Sequence, residues 1–212
     1  MKVTRIYRGT KSNRINIDLD GEFGFSVEEA TLVKFNLFVG KELDNTDIEQ
    51  MENQDQIEYL YNKALGIIAR RPRSKNEIKV YLEKKSKTRF KKVEETVVGE
   101  VIAKLESRKH LDDKAFAKWF VDSRLKMQKH SIYQIRNELN LKFGVDKELT
   151  QLVLEEAEAS NKELATIEHL IDKKFRQYQL KHKDKRIAKE KMSQYLSNKG
   201  FSWDAVNKVI DN

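Results

Sequence analysis

One sequence pattern recurs at an interval of 57 residues, and this repeat restricts the fold more than any other feature. It begins at Ser74, at Ser131 and at Ala188. Equivalent leucines and lysines share the interval: Leu82, Leu139 and Leu196, and Lys85, Lys142 and Lys199. Each copy places apolar residues at positions i and i+4, which is typical of an amphipathic helix. The chain is therefore expected to consist of similar helical units in tandem.

Two of the three copies begin with a capping box. Ser74 is followed three residues later by Glu77, and Ser131 by Gln134. In such a box the serine oxygen and the acid or amide side chain satisfy backbone N–H groups at the start of a helix. The pattern predicts that helices begin at these serines.

Further apolar segments flank each of these helices, so that three helices per unit is the economical interpretation. Residues 149, 152 and 153 even recur 57 residues later, as apolar positions 206, 209 and 210. A unit of about 50 residues buries only a small core, and neighbouring units should pack end to end. We predict a mainly α fold of three tandem three-helix repeats, at 56–110, 111–157 and 158–212, forming an elongated, curved array.

Residues 1–55 have a different pattern. Apolar and polar residues alternate over Ile15–Leu19 and again over Phe23–Val27, with Asp20-Gly21 between them. This arrangement predicts a β-hairpin with a tight turn, and a preceding strand is expected around Val3–Tyr7. Because a hairpin alone is marginally stable in water, it should pack on a following helix. We predict an N-terminal extension made of the hairpin and a short helix.

Composition excludes several classes of protein. The chain has no cysteine, which rules out disulfides and zinc–thiolate sites. The first residues lack the apolar core of a signal peptide, and no apolar run approaches the roughly 20 residues that span a bilayer. We expect a protein of the cytoplasm that does not bind membranes.

Positive charge is concentrated in two parts of the chain. The net charge is +8, yet residues 1–62 carry 7 basic and 12 acidic residues. Lys63–Lys92 carries 12 basic and 2 acidic residues, and Lys173–Lys191 carries 9 and 2. Such segments indicate a polyanionic partner, either nucleic acid or an acidic protein surface, although a solvated helix face has the same composition.

The sequence contains no set of residues with the spacing of a known type of active site. His110, His130, His169 and His182 are scattered, and the pair Asp112-Asp113 is better explained as a helix N-cap than as a metal site. We therefore expect a binding protein without catalytic residues, cofactor or metal.

The candidate binding residues are basic and lie in all three repeats. They are Arg70, Arg71, Arg73, Lys75, Lys126, Lys129, Arg136, Lys142, Lys185, Arg186, Lys189 and Lys191. Their positions relative to the repeat suggest the hypothesis that they line one concave face. Five aromatic residues could stack on bases, but all except Trp119 are expected in the core: Phe116, Trp119, Phe120, Phe175 and Trp203.

Several motifs resemble those of RecX regulatory proteins. The string from Ala69 to Glu77, with its arginines and Pro72, resembles the first-repeat motif of that family. Leu111-Asp112-Asp113-x-x-Phe116-Ala117 and the closing Tyr195-Leu196-x-x-Lys199-Gly200-Phe201 are similar to later motifs. The likeness covers roughly residues 57–212. The chain departs from the family pattern after the central helix, where Lys142-Phe143-Gly144-Val145 contains an extra residue.

The resemblance implies tandem three-helix repeats, no enzymatic activity, and action on the RecA recombinase. A RecX protein is expected to lodge in the groove or at the end of the RecA–single-stranded DNA filament, where it damps ATPase, strand-exchange and co-protease activity. Roles in DNA repair, recombination and the SOS response follow from that action. Weak binding to DNA alone, including double-stranded DNA, and a monomeric state are also expected.

Two other classes of function stay open at this point. The first is a nucleic-acid-binding protein that uses its units in the helix-turn-helix manner without a recombinase, with Asn137 and Asn140 as candidates for base reading. The second is a passive helical scaffold, whose basic segments are only solvated faces.

Overall fold

A computed structural model describes residues 1–9, 14–90, 95–127, 130–158, 162–182 and 184–210. Within these ranges three strands precede ten α-helices: β1 (Val3–Arg8), β2 (Ile15–Leu19), β3 (Glu22–Val27), α1 (Glu29–Lys34), α2 (Asn45–Ile68), α3 (Lys75–Arg89), α4 (Glu95–Ser107), α5 (Asp113–Lys126), α6 (Ile132–Asn137), α7 (Lys147–Glu158), α8 (Lys162–Lys181), α9 (Lys185–Asn198) and α10 (Trp203–Ile210). The predicted mainly α fold is confirmed.

The chain divides into two compact units. The first unit comprises Met1–Arg71 and Ile78–Leu111, and the second comprises Pro72–Glu77 and Asp112–Asn212. The start of α3 thus belongs with the later helices, whereas the rest of α3 belongs with α2 and α4.

The N-terminal segment forms a three-stranded antiparallel sheet of order β1-β2-β3. At the β2–β3 turn, Asp20 and Gly21 have φ angles of 50° and 95°, which glycine adopts freely and aspartate tolerates. The predicted hairpin and the strand before it are both confirmed.

One face of this sheet packs on α2. Ile17 and Phe25 are paired across β2 and β3, and they enter a core that also contains Met51 of α2. Asp44 caps α2 through a capping box with Asp47. Although this segment is polar, α2 is a continuous helix of 24 residues.

Three further cores correspond to three sets of helices. The first is built by the C-terminal half of α2 with α3 and α4, the second by α5, α6 and α7, and the third by α8, α9 and α10. The leucines that define the 57-residue repeat, Leu82, Leu139 and Leu196, are all fully buried. Three-helix packing is as predicted, while the repeat boundaries stay a prediction.

The second helix of the middle set changes its winding directly before the extra residue noted in the sequence. A π-helical turn, Glu138–Lys142, continues α6, and Phe143 is its C-cap. A π turn adds one residue to a helix while the chain on either side keeps its packing. The insertion is therefore taken up within the helix, and the loop after it remains short.

The third copy of the repeat differs at its start. Ala188 takes the place of the serine, and α9 begins one turn earlier, at Lys185, with Asp184 as its N-cap. Ala188 is buried inside the helix. The side chains at positions 209 and 210, which the repeat places in a core, lie outside the described residues.

Candidate binding surface

Most of the predicted binding residues present their charge to solvent. Four are half-buried, namely Arg71, Arg73, Arg136 and Lys189, and seven are exposed, namely Arg70, Lys75, Lys126, Lys142, Lys185, Arg186 and Lys191. Lys129 lies outside the described residues. The hypothesis of a single concave face stays a prediction.

The arginine cluster before α3 is divided between the two units, with Arg70 and Arg71 in the first and Arg73 in the second. Arg73 Nη1 lies 3.2 Å from Glu77 Oε1, and the Nε atom of Arg73 is buried. The pair with Glu77 neutralises Arg73. Among these arginines Arg70 is the most available to a partner, because it is exposed and no carboxylate in the described chain pairs with it.

In the middle set of helices, some cations are paired and others are not. Arg124 donates to Glu138 Oε2 from both Nε and Nη2, at 3.1 and 2.5 Å. Lys118 Nζ lies 2.7 Å from Glu156 Oε2, and this hydrogen bond is the main reason that the pKa of Glu156 is lowered. Lys126, by contrast, is exposed and has no acidic partner in the part of the chain that the structure describes.

The first turn of α9 carries positive charge where a helix least favours it. Lys185 and Arg186 are both exposed there, and the turn contains no acidic residue. The N-terminal end of a helix has a partial positive charge, so cations in the first turn cost some tenths of a kcal/mol. The N-cap Asp184, whose carboxylate accepts from the Arg186 N–H at 2.8 Å, offsets part of this repulsion. A bound anion would relieve the rest.

Two serine hydroxyl groups make long-range hydrogen bonds within the second unit. Ser74 Oγ accepts from the Glu77 N–H at 3.1 Å and donates to the Phe143 carbonyl oxygen at 2.8 Å. Ser131 Oγ accepts from the Gln134 N–H at 3.2 Å and donates to the Lys199 carbonyl oxygen at 2.9 Å. Each predicted capping box is confirmed, and each serine has a second role that the sequence pattern did not indicate.

The burial of the aromatic residues differs in part from our prediction. Phe116 and Phe120 are buried, and Phe175 packs against the third core, as expected. Trp119 also packs against the middle core, beside Phe116, whereas Trp203 is 60% exposed. The prediction that Trp203 is a core residue is wrong because Phe201 and Val206 supply the buried contacts of this segment. Tyr133, which no sequence pattern marked as a candidate, is 61% exposed.

Neither of the two candidates for reading bases exposes its side chain fully to solvent. Asn137 and Asn140 are both half-buried, and Asn140 Oδ1 is buried. A side chain that reads base edges must offer its amide to the groove. The surface therefore favours contacts to phosphates over sequence reading.

Other kinds of site find little support in the described parts of the chain. There, no three His, Cys, Asp or Glu side chains are grouped so that they could hold a metal ion. A cleft of about 390 Å³ lies beside Arg14 and Asp55. Two of its three charged lining residues are already paired, with Arg14 Nη2 2.6 Å from Asp55 Oδ2, and the third is Glu52. No described helix combines the length and apolarity that crossing a membrane requires.

These features define the class as a helical-repeat binding protein with exposed cations. Residues 1–44 match the family description "Regulatory protein RecX N-terminal domain", and residues 161–210 match "RecX, third three-helix domain". A regulatory protein RecX of Bacillus licheniformis is 32% identical over 93% of this chain and 71% of its own length. One of Oceanobacillus iheyensis is 34% identical over 99% and 75%.

Solved structures agree with this relationship. The chain matches a "Crystal structure of regulatory protein RecX" with a TM-score of 0.79 and 26% identity, over 100% of this chain and 99% of that one. RecX from Lactobacillus salivarius shares the fold, with a TM-score of 0.65 and 24% identity over 74% and 96%. The protein belongs to the RecX family of regulatory proteins, which are not enzymes, and the predicted absence of enzymatic activity is thereby confirmed.

Proposed function

We propose that this protein binds the filament that RecA forms on single-stranded DNA and lowers RecA's ATPase, strand-exchange and co-protease activities. The observation that carries the proposal is the relationship to RecX regulators, which extends over 93% to 99% of the chain in the relatives described above. The protein would act in the cytoplasm, as a monomer, in recombinational repair and the SOS response.

The charge distribution supports a partner of this kind. Lys126, Lys185, Arg186 and Lys191 are exposed, and no described carboxylate forms an ion pair with any of them. A nucleoprotein filament offers DNA phosphates and repeated copies of one protein surface. Several weak contacts to such a lattice add through effective concentration, even where each alone is weak. Binding to bare DNA should be weaker and should fall steeply with salt.

The experiment that tests this proposal measures the single-stranded-DNA-dependent ATPase rate of RecA. The protein is titrated to concentrations well below that of RecA, with DNA in excess. We expect the rate to fall at substoichiometric amounts, because one molecule at a filament end or in the groove affects many subunits.

A fall that requires enough protein to coat the DNA would contradict the proposal. It would instead favour the second candidate, simple competition by a nucleic-acid-binding protein. An unchanged rate at every concentration would favour the passive scaffold.

A further inference from the structure

The two serine-linked junctions of the second unit are built alike. In each, the serine hydroxyl donates to the carbonyl group just before a glycine with positive φ: Gly144 at 63° and Gly200 at 81°. The residue two positions after the serine packs against that glycine. A Cβ placed on Gly144 would lie 2.9 Å from Asn76 Cβ, and one on Gly200 would lie 3.1 Å from Tyr133 Cδ1. Asn76 and Tyr133 therefore occupy equivalent places.

The junctions differ in two side chains. Three residues after the glycine, where the next helix begins, the first junction has Lys147 and the second has Trp203. The first junction is thus built with asparagine and lysine where the second has tyrosine and tryptophan. The first junction forms with Asn76 and Lys147 at these positions. A junction can therefore fold without aromatic rings there.

Nor does burial explain the two rings. Tyr133 and Trp203 are 61% and 60% exposed, although large aromatic side chains usually contribute to stability by being buried. The two residues lie near each other, since a Cβ placed on Gly200 would be 3.1 Å from Tyr133 Cδ1 and the chain spans at most about 11 Å from Gly200 to Trp203. Exposed aromatic residues that lie close together are a feature of interaction sites.

The chain around these rings is basic. Arg136 lies three residues after Tyr133 on α6, on the same side of the helix, and no described carboxylate pairs with it. Lys199 directly precedes Gly200, and the segment from Lys181 to Lys199 contains 7 basic and 2 acidic residues. The surface therefore combines flat apolar rings with positive charge.

We propose that Tyr133 and Trp203 form a base-stacking site for single-stranded nucleic acid, with Arg136 and Lys199 beside the phosphates. Rings and cations together match a strand whose bases are unstacked and whose backbone is anionic. Duplex DNA hides its base faces within its own stack, and an acidic peptide offers no such faces. The inference rests on the proposed function in taking single-stranded DNA as a component of the partner, but it concerns the strand alone.

Tryptophan fluorescence tests the inference without RecA. The chain has two tryptophans, so Trp119→Phe leaves Trp203 as the only reporter. A short oligothymidylate is titrated into this variant at low salt, while binding is followed in parallel by anisotropy of a labelled oligonucleotide. We expect Trp203 fluorescence to be quenched in step with binding, and quenched much less by a duplex at equal occupancy.

Substitutions separate stacking from charge attraction. Trp203→Ala and Tyr133→Ala should each weaken oligothymidylate binding by about tenfold, as expected for the loss of one stacked base, while Tyr133→Phe should bind as the unchanged chain does. Phe23→Ala, which removes an equally exposed ring of β3 in the first unit, is the matched control and should have no effect. Circular dichroism verifies that each variant is folded.

Three results would overturn the inference: an oligonucleotide that binds without quenching Trp203, alanine variants that bind as well as the unchanged chain, or no oligonucleotide binding at low salt. None of them depends on RecA. The proposed function fails separately, through an ATPase rate that does not fall at substoichiometric amounts.

Discussion

At the scale of single residues, two glycines show how strongly backbone conformation determines the effect of one methyl group. Gly99 lies exposed within α4, with nothing within 4 Å of an added Cβ. Gly144 has a φ angle of 63°, and an added Cβ would lie 2.9 Å from Asn76. The first position is one where glycine only weakens a helix, whereas the second requires glycine.

We expect opposite changes in the free energy of unfolding for these two sites. Gly99→Ala should stabilise the protein by roughly 0.5–1 kcal/mol, because alanine restricts the unfolded chain and favours helix. Gly144→Ala should destabilise it by at least about 1–2 kcal/mol, through left-handed strain and the clash with Asn76. Urea denaturation of both variants measures the two values, and equal effects would contradict this interpretation of the junction.

Asp55 of α2 makes buried polar contacts to residues on either side of the hairpin. Its side chain is 6% exposed, and it accepts from Arg14 Nη2 and from the backbone N–H of Glu28, both at 2.6 Å. Asp55→Ala should cost about 3 kcal/mol of stability, because Arg14 would remain buried with only Glu28 as an anionic partner, 3.3 Å from its Nη1. Glu29→Ala is the control, since the Arg8–Glu29 pair is exposed and worth less than about 1 kcal/mol. Similar losses in both variants, measured by denaturation, would show that burial of the pair is unimportant.

At the scale of helices, Ser131 joins the second and third helix sets as well as starting a helix. Ser131→Ala should remove the cap of α6 and the hydrogen bond to the Lys199 carbonyl oxygen, and we expect a loss of about 2 kcal/mol. Asp146→Ala removes only the exposed cap of α7 and should cost about half as much. Denaturation curves of the two variants give the comparison, and equal losses would mean that the junction bond contributes nothing.

The helices and the hairpin also show which parts of the structure the sequence could predict. Capping boxes, the Asp20-Gly21 turn and the periodic leucines are local patterns, and the structure confirms the helices and the hairpin that they predict. The exposure of Trp203 could not be predicted, since its helical spacing resembles that of a core residue and its burial depends on which neighbours fill the core first. The second bond of Ser131 joins residues 68 positions apart, beyond any local pattern.

At the scale of the whole molecule, unpaired cations are proposed to face a polyanion. Lys126→Ala and Lys191→Ala should each lower, by about one, the slope of the logarithm of DNA affinity against the logarithm of salt concentration, because each removes one phosphate contact. Lys118→Ala is the matched control: this lysine is paired with Glu156, and the slope should not change. A salt titration of oligonucleotide binding measures all three slopes. Unchanged slopes for Lys126 and Lys191 would place the DNA contact elsewhere.

The most direct test of the central claim compares the affinity of the protein for a RecA–single-stranded DNA filament with its affinity for the same DNA without RecA. A labelled protein is titrated with each at near-physiological salt, where contacts to bare DNA are weakened, and the filament is held assembled by a non-hydrolysable ATP analogue. We expect saturable binding to the filament at concentrations at which bare DNA captures little of the protein. Equal affinity for both, or a preference for bare DNA, would contradict the claim.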